Sequence, residues 1–231
     1  MKYSIIFCFA AIFLFPNLGF SQNDDFSKNQ LKFYFNTINE GYTETRVSSN
    51  DRVLKSISKV GVPSIAYAWQ TGEKKWQEVE VSAFFDNNRD ISVTGNAMIS
   101  NFAERLGYIS ARYERNRILL TSDRVDLSLG GSFQAFYLHN SFAPMTSADF
   151  PFSYNGLHTR LSIIPRALIK FERFALDFNM PYSVMSFNVT SFREENQTIV
   201  SAERTNSGLQ YDLFPNSYFL QARVGIVVDL N

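Results

Sequence analysis

The chain has almost no cysteine, almost no histidine and no excess of charge. Its 231 residues include a single cysteine, Cys8, and two histidines, His139 and His158. Metal-ligand clusters and thiol chemistry therefore have little to be built from. Lys and Arg number 22 and so do Asp and Glu, so the basic surface that a nucleic-acid partner requires is missing. No apolar run reaches the roughly 20 residues of a membrane-spanning helix. Phosphate-cradling glycine loops and nucleophile elbows are missing too, and the residues call for no cofactor and no metal.

What is present begins with an export signal. Lys2 precedes an apolar run from Ile5 to Phe15, followed by Pro16-Asn17-Leu18 and then Gly19-Phe20-Ser21. A basic start, a short apolar run and small residues at the −3 and −1 positions describe a secretory signal peptide cut after Ser21. Cys8 leaves with it, so disulfides are excluded from the mature chain. Loss of Lys2 leaves a net charge close to −1. The division expected is residues 1–21 as signal peptide, 22–29 as a short periplasmic tail and 30–231 as one domain.

Phe and Tyr are abundant, at 23 and 11 residues, and apolar residues recur at every second position. Side chains alternate faces along a strand, so each such run has one greasy face and one wet face. Leu31, Phe33 and Phe35 alternate with Lys32, Tyr34 and Asn36. Ile65, Tyr67 and Trp69 alternate with small residues. Val79, Val81 and Phe85 oppose Glu78, Glu80 and Ser82, and Ile109, Ala111 and Tyr113 oppose Ser110, Arg112 and Glu114. Val125, Leu127, Leu129, Phe133 and Tyr137 oppose Asp126, Ser128, Ser132 and Gln134. Leu157, Leu161, Ile163 and Ile169 oppose His158, Arg160, Arg166 and Lys170. Phe174, Leu176 and Phe178 oppose Ala175, Asp177 and Asn179. The last run, Ser217 to Asn231, sets Tyr218, Leu220, Val224, Ile226, Val228 and Leu230 against Gln221, Arg223, Gly225 and Asp229.

Eight strands follow, and their links alternate in length. Thr71–Lys75, Arg115–Ser122 and Lys170–Arg173 are short. Asn39–Gly61, Asp86–Glu104, Asn140–Gly156 and Ser191–Asn216 are long and polar. Strict alternation of short and long links, with strands long enough for the roughly 9–11 residues a bilayer needs, predicts a single antiparallel up-and-down transmembrane β-barrel. Its short turns and both termini are periplasmic and its long loops extracellular. Ten strands result if a long loop holds a hairpin. A soluble periplasmic ligand-binding barrel is an alternative; it requires Leu127, Phe133, Val224 and Ile226 to point inward.

Arg223, Gly225, Val228 and Leu230 resemble the C-terminal sorting signal of Gram-negative outer-membrane barrels: a polar residue, a glycine two on, then two hydrophobics spaced by one. The chain departs from that pattern by ending on Leu230-Asn231 rather than an aromatic. Together with the export signal and the strand pattern, the mature chain resembles the small outer-membrane β-barrel proteins, the OmpA/OmpX-like size class. The resemblance implies an integral outer-membrane location, contact with outer-membrane lipid and lipopolysaccharide, and the barrel-assembly machinery as a partner during biogenesis. It implies a structural, adhesive or surface-binding role without enzymatic activity, and names no extracellular ligand.

A barrel of eight strands is only wide enough for side chains to fill. The inward registers supply a charge network of Glu78, Glu80, Arg112, Asp126, Arg160, Arg166, Asp177 and Arg223, which pair across the lumen rather than line a pore. One catalytic alternative stands beside this. His139 and Ser141, two apart on one strand face, resemble the His-x-Ser motif of the outer-membrane lipid A deacylases, where the His is a general base toward a Ser nucleophile. That family has Asn after the Ser; this chain continues Phe142-Ala143-Pro144. His158 is expected inside, beside Arg160. Phe142, Phe150, Phe152 and Tyr154 are expected to form an aromatic rim at the lipid headgroup level.

Overall fold

A computed structural model describes the backbone at residues 28–45, 52–94, 99–145, 150–171, 174–198, 200–201, 204–214 and 222–230, and side chains at these positions except 38–45, 52–60, 88–94 and 99–102. The expected signal peptide and most of the 22–29 tail lie outside the described residues. Ten strands occur in chain order: β1 (Asn29–Thr45), β2 (Arg52–Gly72), β3 (Lys75–Thr94), β4 (Ile99–Thr121), β5 (Val125–Pro144), β6 (Phe152–Lys170), β7 (Ala175–Asn179), β8 (Tyr182–Glu194), β9 (Thr205–Leu213) and β10 (Arg223–Asp229).

The ten segments make one closed antiparallel ring of eight. Neighbours run β1-β2-β3-β4-β5-β6-β7-β10 and back to β1. β7 and β8 are successive halves of one strand along β6: Lys170↔Ala175 through Arg166↔Asn179, then Ile163↔Tyr182 through Phe152↔Glu194. The break falls at Met180-Pro181, where proline has no N–H to give the ladder. The last strand is divided to match, with β9 paired to β8 and β10 paired to β7. The ring is therefore the expected eight, and the count of ten segments comes from two divided strands rather than from two further strands in the ring.

Closure rests on the ladder from Gln30↔Asp229 to Asn36↔Arg223. It is extended by Leu230 N–H donating to Asn29 O at 3.0 Å and Thr37 N–H to Ala222 O at 3.1 Å. Around the ring, the lower turns are tight. Lys74, at φ 60°, supplies the left-handed residue between β2 and β3, and Ser122 N–H donates to Val125 O at 2.9 Å between β4 and β5.

The strands outrun the alternation that revealed them. β1 continues to Thr45 and β2 begins at Arg52, inside the stretch 39–61 expected as loop. β3 and β4 likewise pair from Asn87↔Arg105 out to Thr94↔Ile99, and β5 and β6 reach Phe142↔Phe152. At the lower end β4 runs to Thr121 through the 115–122 link. Of the expected 217–231 strand, residues 223–229 are strand, and 217–221 lie outside the described residues.

The expected faces hold. Leu127 and Phe133 are 42% and 48% exposed on the outer wall, and Val224 is 42% exposed. A soluble barrel with these three turned inward is therefore not what the chain adopts. Inside, the lumen has two storeys. The lower holds charged and polar side chains; the upper holds Tyr108, Phe136, Leu138, Phe142, Phe152, Tyr154 and Phe192. Phe142 stacks on Phe152 with centroids 4.3 Å apart. The rim expected from Phe142, Phe152 and Tyr154 is thus an interior cluster. Their even positions face the lumen.

Candidate functional site

Two places gather polar side chains: the lower lumen and the upper border of the outer wall.

In the lumen, inward residues of six ring strands (β1, β3, β4, β6, β7 and β10) meet at one centre. Arg223, on β10, is the hub. Its Nη2 reaches Glu78 Oε1 at 3.2 Å and bonds Glu80 Oε2. Its Nη1 donates to Asn179 Oδ1 at 3.0 Å and lies 3.5 Å from Glu114 Oε2, and its Nε donates to Asn36 Oδ1 at 3.2 Å. Arg166, on β6, pairs with Glu78 Oε2 at 2.9 Å, Asp177 Oδ2 at 3.3 Å and Glu114 Oε1 at 2.9 Å. Lys32 Nζ sits 2.9 Å from Glu78 Oε2 and 3.2 Å from Asp177 Oδ2. Arg112 Nη1 is 3.6 Å from Glu80 Oε2. Tyr34 donates its hydroxyl to Asp177 Oδ2 at 2.8 Å, and the Arg223 guanidinium lies over its ring, 4.1 Å from the centroid.

Four cations (Lys32, Arg112, Arg166, Arg223) thus face four carboxylates (Glu78, Glu80, Glu114, Asp177), all buried. The cluster is neutral as a whole, which is what allows so many charges out of bulk water. Its geometry is that of a filled plug rather than a channel.

Six of the eight residues expected in the network meet here. The other two do not. Asp126 sits at the lower end, 2.9 Å from Lys170 Nζ and bonded to Thr121. Arg160 lies in the upper storey over the ring of Phe136, 5.0 Å from its centroid. His158 stacks on the same ring and its Nδ1 is 2.9 Å from Asn188 Oδ1. Tyr34, Asn36 and Asn179 were legible only as inward positions. Nothing in one-dimensional pattern tells that Tyr34 touches both Asp177 and Arg223 across the barrel.

Gly225, in the expected sorting signal, stands opposite Tyr34 in the closing ladder. Val228 and Leu230 share the outward register with Val224, and Val228 pairs with Leu31.

The outer wall has a sharp border. Below it, outward residues are apolar: Ile109, Tyr137, Leu157, Val189 and Leu209. Above it they turn polar along two hydrogen-bonded rows that cross successive strands. One row passes from Gly107 through His139, Asn155, Ser191 and Ser207, with Phe85 at its β3 end, and the next is Asn87, Arg105, Ser141, Ser153, Arg193 and Thr205. His139 is exposed and Ser141 half-buried, both on this outward face at its border.

His139 Nδ1 lies 2.7 Å from Asn155 Oδ1. Tyr137 also donates its hydroxyl to that oxygen at 2.7 Å. The Asn155 amide oxygen thus faces both groups, and the tautomer that satisfies it is the one with the proton on Nδ1 and the lone pair on Nε2. Among the described residues no hydrogen bond joins His139 to Ser141. Asn155 is the member that the sequence did not point to. It is fourteen positions beyond Ser141, and only the β5–β6 register His139↔Asn155 brings it there.

No protein-family model matches the chain, and no curated protein matches it in sequence. Solved structures do resemble it. A major outer membrane protein from Thermus thermophilus superposes with TM-score 0.50 at 9% identity, covering 88% of this chain and 100% of that one. The outer membrane protease OmpT of Escherichia coli superposes with TM-score 0.49 at 8% identity, covering 89% of this chain and 98% of that one. The fold is that of the outer-membrane β-barrels.

Proposed function

We propose that this chain is an integral outer-membrane barrel with periplasmic termini, and that it hydrolyses an ester of a membrane lipid on its outer wall. The observation that carries the reading is the His139–Asn155 hydrogen bond, on the exterior, with Ser141 on the same face at the edge of the apolar band. A nucleophile, a base and a group that orients the base are the parts of an acyl-transfer site. Their place suits a substrate that lies in a bilayer with its ester bonds near the headgroups.

The roles follow from the tautomer. Ser141 Oγ attacks the ester carbonyl carbon and its proton passes to His139 Nε2. Asn155 Oδ1 holds Nδ1–H throughout and keeps the ring turned toward the serine. The tetrahedral adduct collapses, the lipid alcohol oxygen leaves, and it takes the proton from Nε2. A water then gives its proton to Nε2 and attacks the acyl-serine. The fatty acid departs, and Ser141 Oγ recovers its hydrogen. The Ser–His contact is made with substrate present, as hydrogen bonds of an unliganded site commonly close only then. The sequence favours a non-enzymatic role; what favours the hydrolase is the His139–Asn155 hydrogen bond beside Ser141.

The test is fatty-acid release from phosphatidylglycerol and from purified lipopolysaccharide in uncharged detergent micelles. Release by the wild type, abolished by Ser141→Ala and His139→Gln, is the expected result. Equal release by wild type and Ser141→Ala would sink the proposal, as would none from either. A surface-binding role is the second reading, supported by the β3–β4 hairpin, which runs to Thr94 and Ile99, well above the polar rows.

A further inference from the structure

The outer polar row holds two arginines that have no use in the barrel. Arg105 is outward on β4 and pairs in register with Ser141; Ser141 pairs with Ser153, and Ser153 with Arg193 on β8. Both arginines are exposed. Among the described residues neither has an ion-pair or hydrogen-bond partner. Every arginine of the lower lumen cluster, by contrast, is paired to carboxylates. Inter-strand steps of ~4.8 Å put Arg105 and Arg193 about 14 Å apart at Cα, with two serine hydroxyls between them. Side chains of that length can reach a ligand seated over the serines from both sides.

The setting tells what they would take. The row lies one step above the apolar outward band, beyond His139 and Asn155, so a molecule bound there has its tails against Tyr137 and Leu157, its acyl esters at the level of His139 and its head against the arginines. Guanidinium groups bind phosphate by paired N–H donors, and serine hydroxyls donate to the same oxygens.

We infer that Arg105, Ser153 and Arg193 form a binding site for the phosphate of a membrane lipid, and that the substrate of Ser141 is a phosphate-bearing acyl lipid. This names the substrate class of the hydrolase proposed above and rests on that reading, although the binding itself can be measured without catalysis. Arg105 and Arg193 are positioning residues. They hold the head so that an acyl ester falls beside Ser141, one row position from each of Arg105 and Ser153.

The experiment uses the full chain with Ser141→Ala as an intact, non-turning-over background. Phosphatidylglycerol and diacylglycerol are offered in uncharged detergent, and lipid retained after detergent exchange is counted by native mass spectrometry. The Ser141→Ala protein should retain phosphatidylglycerol and release diacylglycerol. Adding Arg105→Gln and Arg193→Gln should cut retention tenfold or more, and Arg105→Lys with Arg193→Lys should restore part of it. In the otherwise wild-type protein, the two Gln substitutions should raise KM for phosphatidylglycerol about tenfold, with the smaller change in kcat. Undiminished retention in the Gln variant, or equal retention of diacylglycerol, overturns the phosphate site. The two proposals separate cleanly. Phosphate-selective retention without any fatty-acid release removes the hydrolase and leaves the site. Hydrolysis with retention indifferent to the arginines does the reverse.

Discussion

The ring of Tyr34 fills the space in which a side chain at position 225 would stand. A Cβ built on Gly225 would lie 2.3 Å from Tyr34 Cδ1 and 2.6 Å from Cε1. The two residues are partners in the ladder that closes the barrel, so glycine is required here for close approach rather than for an unusual backbone angle. Arg223, two residues before Gly225 on the same inward face, lies over the same ring. One tyrosine thus joins the last strand's glycine to the hub of the charge cluster.

Gly225→Ala should therefore force Tyr34 out of place and loosen the closing seam. Overpacking of this kind costs ~1–3 kcal/mol. The expected result is a lower temperature for loss of the compact form in unboiled-versus-boiled gel electrophoresis. Tyr34→Ala beside Gly225→Ala removes the clash, so the double variant should lose less than the two single losses added together. Strict additivity would show that the two side-chain positions do not interact.

The charge cluster makes a second, opposite prediction about pairs. Arg223→Met leaves Glu78, Glu80 and Glu114 with one cation fewer in a site closed to water. Breaking a buried pair from one side costs about 3–5 kcal/mol. Arg223→Met with Glu80→Gln restores neutrality and should recover a good part of that loss. Urea unfolding of the folded barrel in lipid vesicles gives both numbers. A double variant no more stable than Arg223→Met would mean that Arg223 acts through its packing on Tyr34, not through charge.

The sequence shows the membrane part of this fold well and the rest poorly, for one reason. Where a strand has lipid on one side and a polar lumen on the other, its side chains must alternate, as at Leu127 to Tyr137. Above the border the outside is water and the inside is the aromatic storey, so the alternation becomes polar-out, apolar-in. Phe142, Phe152 and Tyr154 then look like a loop with aromatics. The break at Pro181 is local and could be read from the proline, whereas the matching division of the last strand follows from its pairing with β7 and β8. At the exterior site, His139 and Ser141 stand out as one strand face, whereas Asn155 needs the register between two strands. The lumen cluster is intermediate. Its members were visible as inward charges, but Asp126 and Arg160 face inward at other depths, which a face assignment does not distinguish.

Side chains occupy the lumen in both storeys, so the wild type should show no stepwise conductance in a planar bilayer. Phe142→Ala with Phe152→Ala empties much of the upper storey while leaving Arg223, Arg166, Glu78 and Glu114 in place below. That variant should stay closed as well. Current through it would place the seal in the aromatic storey and make the charge cluster a water-filled passage instead of a plug.

Asn155 carries the sharpest prediction about chemistry. On the proposed mechanism its oxygen, 2.7 Å from His139 Nδ1, holds the ring in the tautomer that leaves Nε2 free, so its loss should turn the ring or its tautomer without touching the fold. Asn155→Ala should lower kcat for lipid ester hydrolysis on the order of 10²-fold or more, with the smaller effect on KM, as expected where a base loses its orienting partner. Asn155→Asp keeps an oxygen acceptor at the same place and should retain far more activity than Asn155→Ala. Tyr137→Phe removes only the second donor to that oxygen and should cost the least. If Asn155→Ala and Asn155→Asp fall equally, orientation of His139 is not what Asn155 supplies. If the alanine variant keeps full kcat, His139 works without it, and the base must be held by some other group on the outer wall.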